Sequence, residues 1–125
     1  MNLLLDTHVL LWWLDDPAVL SGTARAAIAD GGNPVFVSAA AVWEITIKKA
    51  RGKLEAPDDL EEILAEERFQ GLPITIPHAL EIAQLPHIHE DPFDRIQVAQ
   101  ARLENLTLVT RDKLIKKYDI SILEA

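Results

Sequence analysis

The sequence contains no cysteine, so it can form neither a disulfide framework nor a zinc site with thiolate ligands. It also lacks a glycine-rich phosphate-binding loop and a Ser or Cys nucleophile in a recognisable elbow. The histidines lack the close spacing of a zinc motif. We interpret them as loop or surface residues, with contact to a substrate as the less favoured alternative; they are His8, His78, His87 and His89.

A long uninterrupted apolar run is also missing. The N-terminal apolar stretch is broken by Asp6 and His8 and follows no basic leader, which argues against a secretion signal or a membrane span. We therefore expect a cytoplasmic protein with no membrane partner. The 125 residues are one domain's worth, and 49% of them are hydrophobic, enough for an ordinary core. We expect a single domain over residues 1–125.

Basic residues are few relative to acidic ones, and the net charge is −8. That average argues against a nucleic-acid partner, because phosphate binding depends on Lys and Arg. Two local clusters depart from it, one near Glu44 and one around Asp112. They contain Lys48, Lys49, Arg51 and Lys53, and Arg111, Lys113, Lys116 and Lys117. Solvated helix ends are the alternative interpretation of each cluster.

Short apolar runs, several rich in β-branched residues, alternate with helical segments. The predicted strands are Asn2–Leu5, Val35–Ser38, Leu72–Ile76, Thr107–Thr110 and Ile120–Leu123. The predicted helices are Val9–Leu14, Gly22–Asp30, Ala39–Arg51, Pro57–Phe69, His78–Leu85 and Pro92–Leu103, with a short turn from Lys113. Such alternation indicates βαβ units. We predict an α/β fold, a three-layer α/β/α sandwich with a central parallel sheet.

Four acidic residues stand in apolar surroundings, where a lone carboxylate is costly unless it is paired or bound to a metal. They are Asp6, Glu44, Asp94 and Asp112. Asp6 and Asp112 each follow a predicted strand directly. Ligands of parallel sheets bind beyond the carboxyl ends of the strands. We therefore expect these acids to meet at that edge.

Each acid also has a purely structural interpretation. Asp6 and Asp112 are suited to cap helices that start after them, and Asp94 to complement a helix dipole. Glu44 lies four residues before Lys48, at the spacing of a helical ion pair. Such a pair contributes only about 0.3–0.5 kcal/mol, which makes it a weak reason for a charge in an apolar helix.

Oxygen ligands of this kind suit Mg²⁺ or Mn²⁺, and one or two such ions would support in-line cleavage of a phosphodiester. We predict that the four acids are catalytic and metal-binding. The hydroxyls of Thr7 and Thr110 are candidates to support them. Lys48, Arg51 and Arg111 are candidates to contact the phosphates that flank the cleaved bond, which positions a backbone without reading its sequence.

Four segments in this order resemble the PIN-domain family, in particular the VapC-like toxins of type II toxin–antitoxin systems. They are Leu3–His8, Ser38–Ile45, Asp91–Arg95 and Leu108–Asp112, and the likeness spans essentially the whole chain. The resemblance implies a Mg²⁺- or Mn²⁺-dependent endoribonuclease on a sandwich with a parallel sheet, using the same four acids. It also implies a homodimer, and a cognate antitoxin that buries a segment in the active-site groove.

Two other functions remain open. Asp6 could act as the nucleophile of a phosphatase similar to the haloacid dehalogenases, but those enzymes use a second Asp two residues on, where this chain has His8. Alternatively, the chain could be a partner-binding α/β module whose acids only bind an ion.

Overall fold

Five parallel strands form the centre of the protein, which a computed structural model describes over residues 1–125. The strands are β1 (Leu3–Leu5), β2 (Val35–Ser38), β3 (Gln70–Leu72), β4 (Thr107–Thr110) and β5 (Ile122–Glu124). They lie in the order β3-β2-β1-β4-β5, and every neighbouring pair is parallel. The predicted α/β sandwich with a central parallel sheet is confirmed.

Strand β1 separates two hydrophobic cores because successive side chains of a strand point to opposite faces. Leu3 and Leu5 belong to one core, which includes residues of the first three helices. Leu4 belongs to the other core, with Val98 and Leu108. All three leucines are fully buried, which explains why β1 is a continuous apolar run.

Six α-helices cover the sheet. They are α1 (Thr7–Asp15), α2 (Gly22–Ala29), α3 (Ala39–Ala50), α4 (Leu60–Glu66), α5 (Ile76–Glu81) and α6 (Pro92–Glu104). Short 3₁₀ turns lie at Pro17–Val19, Ile82–Gln84 and Ile115–Lys117. None of the helices combines the length and the apolar character that crossing a bilayer requires.

Side-chain caps set most helix starts at the residues expected from the sequence. Ser21 and Ser38 cap α2 and α3, and Asp91 caps α6 with Pro92 in its first turn. Helix α3 ends at Ala50, and Gly52 follows with a positive φ of 67°.

The third strand differs from its prediction over Leu72–Ile76. It covers Gln70–Leu72, because Pro73 has no N–H with which to extend the ladder, and Ile76 begins α5 instead. Helix α5 starts earlier than predicted because Thr75 caps it.

The remaining differences lie at element ends. The predicted helix Pro57–Phe69 shortens to Leu60–Glu66, where Arg68 takes a positive φ of 62° just after the helix. The predicted strand Ile120–Leu123 begins at Ile122, since the N–H of Ile120 bonds to Tyr118 O in a turn. The helical turn expected from Lys113 is the 3₁₀ turn at Ile115–Lys117.

The sheet order reverses at β1, which pairs with β2 on one side and with β4 on the other. Leu5 lies level with Val109, and the N–H of Asp6 bonds to Val109 O at 3.2 Å. The residues that follow these two strands therefore lie side by side at the carboxyl edge of the sheet, where open α/β sheets bind ligands.

Candidate active site

A polar cleft of about 250 Å³ opens at this edge of the sheet. Its lining consists of Asp6, Thr7, His8, Trp12, Glu44, Lys48, Asp91, Asp94, Arg111 and Asp112. The structure thus brings all four predicted acids to one cleft from four separate parts of the chain. A larger cavity of about 540 Å³ lies elsewhere, between α3, α4 and β3, and its lining is mainly apolar.

Asp6 lines the cleft and is only 5% exposed. Its Oδ1 accepts the N–H of Val9 at 2.8 Å and so caps α1, while its Oδ2 accepts the hydroxyl of Thr110. Burial raises the pKa of Asp6 despite these two hydrogen bonds. The helix cap expected for Asp6 is therefore present, and the same residue also lines the cleft.

Asp112 occupies the neighbouring position after β4. Its Oδ1 accepts the N–H groups of Leu114 and Ile115, at 2.8 and 3.0 Å. Only Oδ2 is left to face other groups. Partial burial opposes ionisation, but the backbone bonds and a hydrogen bond from His89 hold the pKa of Asp112 below its ordinary value.

Asp94 lies in the first turn of α6, beyond its cap Asp91. Burial raises the pKa of Asp94 to about 7, and the negative charges of Asp91, Glu44 and Asp112 add to the effect. This carboxyl therefore loses its proton only near neutral pH, and a nearby cation would lower its pKa.

Glu44 reaches the cleft from the middle of α3 and is 3% exposed. Its Oε2 accepts the ammonium of Lys48 at 2.5 Å, so the ion pair expected from the sequence forms. It does not lie on a solvated stripe, however, because Glu44 is buried. Its Oε1 is buried without any hydrogen-bond partner, and such an atom normally has one.

This donor set fits a hard divalent cation. Carboxylate oxygens are the preferred ligands of Mg²⁺ and Mn²⁺. Glu44 offers an unpartnered buried oxygen, and burial disfavours the charge on Asp94, which a cation would stabilise. The tightest group of candidate ligand atoms comes from His89, Asp94 and Asp112, all within 4.8 Å of one another. Asp6 and Glu44 line the same cleft outside that group.

The two threonines differ in what they contact. Thr110 donates to Asp6 and accepts the N–H of Asp112 at 3.0 Å. Thr7 instead accepts a hydrogen bond from the buried Gln97 at 3.3 Å. Thr110 thus links two of the acids, whereas the hydroxyl of Thr7 contacts α6.

The three candidate phosphate-binding residues also differ. Lys48 and Arg111 line the cleft, whereas Arg51 does not line it and lies exposed past the end of α3. Arg111 Nη2 donates to the main-chain oxygens of Val19 and Ala125, at 2.7 and 2.9 Å, and the guanidinium lies 4.5 Å from the centre of the Trp12 ring.

The interpretation of all histidines as loop or surface residues is wrong for His78. His78 is 1% exposed, and its Nε2 lies 2.9 Å from Glu104 Oε1, joining α5 to α6. His8 and His87 are exposed.

His89 lies among the acids, a position that the sequence gave no reason to prefer. Its Nε2 is 3.0 Å from Asp112 Oδ2 and 3.1 Å from Asp94 Oδ2. Burial lowers the pKa of His89, but the hydrogen bond to Asp112 and the nearby carboxylates outweigh burial and raise the pKa overall. One signal could have found it: His89 lies two residues before Asp91, the cap of a helix whose first turn holds an acid.

An aromatic pair connects the two helices that carry Glu44 and Asp94. Trp43 in α3 and Phe93 in α6 meet edge to face, with ring centres 5.1 Å apart. Trp43 is 58% exposed, so it lies on the surface beside the cleft and not in a core.

Solved structures with this fold include VapBC and FitAcB proteins and one complex described as toxin–antitoxin. VapBC2 from Rickettsia felis bound to a promoter DNA fragment matches with a TM-score of 0.74 and 17% identity, covering 100% of this chain and 99% of that one. DNA-bound VapBC from Salmonella typhimurium matches with a TM-score of 0.71 and 15% identity, covering 99% and 98%. FitAcB from Neisseria gonorrhoeae matches with a TM-score of 0.64 and 24% identity, covering 97% and 96%.

Sequence comparison assigns the family. No curated protein matched the chain. The family model described as PIN domain, in contrast, matches residues 3–121. That span begins in β1 and includes the four acids predicted as ligands, Asp6, Glu44, Asp94 and Asp112. The chain therefore belongs to the PIN domain family.

Proposed function

We propose that the protein is a metal-dependent endoribonuclease and the toxin of a toxin–antitoxin pair. The observation that carries the proposal is the convergence of four carboxylates on one cleft, among them a buried Glu44 oxygen without a partner. Membership of the PIN domain family and the shared fold with VapBC and FitAB complexes support it.

Asp6, Glu44, Asp94 and Asp112 would hold one or two Mg²⁺ or Mn²⁺ ions. When bound, such ions acidify a water molecule and stabilise the negative charge that develops in phosphodiester cleavage. The chain's own groups prepare the site: Thr110 and the N–H of Val9 fix both oxygens of Asp6, and backbone donors fix one oxygen of Asp112.

Substrate binding would use the basic residues at the cleft. Lys48 and Arg111 line it and would contact phosphates on either side of the scissile bond. Arg51, at the end of α3, would contact the backbone farther out. Contacts of this kind recognise a nucleic-acid strand through its charge and not through its bases.

Partners follow from the same proposal. One solved structure with this fold is described as a toxin–antitoxin complex, and we propose a cognate antitoxin here. We also propose a homodimer. Large apolar side chains exposed on this chain support protein interfaces, namely Ile76, Leu80 and Trp43. An RNA substrate would place the toxin in the cytoplasm.

The same geometry disfavours a phosphatase with Asp6 as nucleophile. Phosphatases of that type use a second acid two residues after the nucleophile, and here that residue is His8, whose ring stacks on Trp12 with ring centres 5.9 Å apart.

A cleavage assay tests the proposed function. Purified chain is incubated with total RNA and Mg²⁺ or Mn²⁺, and the new 5′ ends are mapped. We expect cleavage that stops in chelator and in Asp94→Asn, whereas the exposed control Asp119→Asn stays active. Expression of the wild type, but not of Asp94→Asn, should arrest growth. Full-rate cleavage in chelator would contradict the metal mechanism, and growth arrest by Asp94→Asn would favour a partner-binding module.

A further inference from the structure

His89 contacts two of the four acids, although it is not one of them. The Nε2 of its ring hydrogen-bonds Asp112 Oδ2 at 3.0 Å, and Asp94 Oδ2 lies 3.1 Å from the same nitrogen. The imidazole is 13% exposed and lies on the loop that leads into α6. A single ring nitrogen therefore bridges carboxylates that come from α6 and from the segment after β4.

The opposite ring nitrogen fixes where the ring carries its proton. His89 Nδ1 accepts the backbone N–H of Asp91 at 3.1 Å. A nitrogen that accepts a hydrogen bond has no proton, so the proton of the neutral ring is on Nε2. Nε2 is then a donor toward the carboxylates. It has no lone pair for a metal in this arrangement, even though it lies among candidate ligand atoms.

Buried groups outside the cleft hold the loop of His89 in place. The N–H of His89 donates to the hydroxyl of Tyr118 at 2.9 Å. The guanidinium of Arg95 donates to that hydroxyl at 3.3 Å, to His89 O at 3.4 Å and to Pro86 O at 3.2 Å. Arg95 and Tyr118 are 8% and 4% exposed. The ring position is therefore set by the protein and not by solvent.

The imidazole of His89 donates to Oδ2, the one oxygen of Asp112 that receives no backbone hydrogen bond. Backbone N–H groups of Leu114 and Ile115 occupy Oδ1, so Oδ2 is the oxygen that remains to bind a cation. The hydrogen bond from His89 sets the direction of that oxygen and brings it toward Asp94. Hydrogen bonds of this kind to ligating groups commonly determine metal affinity.

We infer that His89 is a positioning residue of the metal site, which orients Asp112 toward Asp94 through Nε2–H without itself ligating the ion. The inference rests on the proposed function only in assigning a divalent cation to these carboxylates. It concerns metal binding and does not depend on which nucleic acid is cut.

Mn²⁺ titration of the metal-free full chain tests the inference by calorimetry and by the electron paramagnetic resonance of free ion. We expect His89→Ala to weaken Mn²⁺ binding by roughly 10–100-fold, the usual effect of losing such a supporting hydrogen bond. His89→Gln, whose amide can donate, should retain most of the affinity. The matched control is His87→Ala, an exposed histidine two residues away on the same loop. Circular dichroism checks that each variant is folded.

Three results would overturn the inference. One is unchanged Mn²⁺ affinity in His89→Ala. The second is a directly coordinated ¹⁴N signal in the spin-echo spectrum of the Mn²⁺-loaded protein that persists in His8→Ala, the other histidine at the cleft, because that signal would make His89 a ligand. The third is no Mn²⁺ binding by the wild type. RNA cleavage is assayed separately: if His89→Ala loses affinity while the wild type cuts no RNA, the nuclease proposal fails and this inference stands.

Discussion

Thr110 donates its hydroxyl proton to Asp6 Oδ2, and both side chains are buried. The same hydroxyl oxygen accepts the N–H of Asp112 at 3.0 Å. One side chain thus connects the two acids that follow the neighbouring strands β1 and β4. The link exists because Leu5 and Val109 lie level in the sheet.

Replacing Thr110 with Val keeps the shape but removes this donor and acceptor. We expect a loss of about 1–3 kcal/mol in the free energy of unfolding, since a buried polar group loses its partner. We also expect weaker metal-dependent cleavage. Urea denaturation and the RNA assay measure the two effects. Thr110→Ser should restore both, and Thr107→Val, whose exposed hydroxyl pairs with Ser121, should change neither. If Thr110→Val leaves both the free energy of unfolding and the cleavage unchanged, the Thr110 hydroxyl has no role in the site.

Loading the site with metal should stabilise the fold. An ion present at 100 times its dissociation constant adds about 2.7 kcal/mol to the free energy of unfolding, provided it binds only the folded chain. Glu44→Gln should lose most of this gain, because the unpartnered Oε1 is replaced by a neutral amide group. Thermal denaturation of each protein with and without Mn²⁺ measures this stabilisation by the ion. The exposed Glu62→Gln in α4 is the control; equal gains in both variants would exclude Glu44 as a ligand.

The stability of the metal-free protein should fall as the pH rises from about 4 to about 7. The pKa of Asp94 is raised from 3.8 to about 7 in the folded chain, so in this interval the folded state binds the proton that the unfolded state has lost. Proton binding favours folding there, and the advantage disappears as the pH passes the folded pKa. Denaturation curves over this range test it.

Asp94→Asn should flatten that pH profile, and excess Mn²⁺ should do the same in the wild type because a cation stabilises the ionised carboxylate. The exposed Asp119→Asn should leave the slope as it is. A slope that is identical in Asp94→Asn would assign the pH dependence to other groups.

Two arginines on α6 should differ sharply in their effect on stability. Arg95 is buried and donates to Ile82 O, Pro86 O and Tyr118, whereas Arg102 is half-exposed and reaches Glu81 at 3.5 Å. Hydrogen bonds from a charged donor contribute about 1.5–3 kcal/mol each, so Arg95→Ala should cost roughly 3 kcal/mol or more. Arg102→Ala should cost under about 1 kcal/mol. Urea denaturation compares them, and equal losses would contradict the role of Arg95 in holding the loop.

Much of the fold follows from local physical chemistry. The apolar run Leu3–Leu5 has to be buried on both faces, and Ser21, Ser38 and Asp91 satisfy the free N–H groups of helix starts. Strand β3 carries no such signal. Its sequence, Gln70–Leu72, is largely exposed at the edge of the sheet, so only pairing with β2 makes it a strand.

In the candidate site, too, some residues could be predicted from the sequence and one could not. The four acids were visible because a charge in an apolar segment is unusual, and two of them follow strands whose ends must meet. His89 was not visible, because its place depends on Arg95 and on Tyr118, which is 29 residues away. The spacing of histidines in a sequence carries no information about hydrogen bonds of this range. The catalytic role of the acids stays a prediction.

The contact between Trp43 and Phe93 makes Trp43 an intrinsic fluorescence probe of the cleft. Each ring is the immediate neighbour of one acid, Glu44 or Asp94, on a different helix. If those carboxylates bind a cation as proposed, we expect the indole and the phenyl ring to shift with them and the emission of the half-exposed indole to change. Subtracting the signal of Trp43→Phe isolates it from Trp12 and Trp13, so filling of the cleft can be followed without any attached dye.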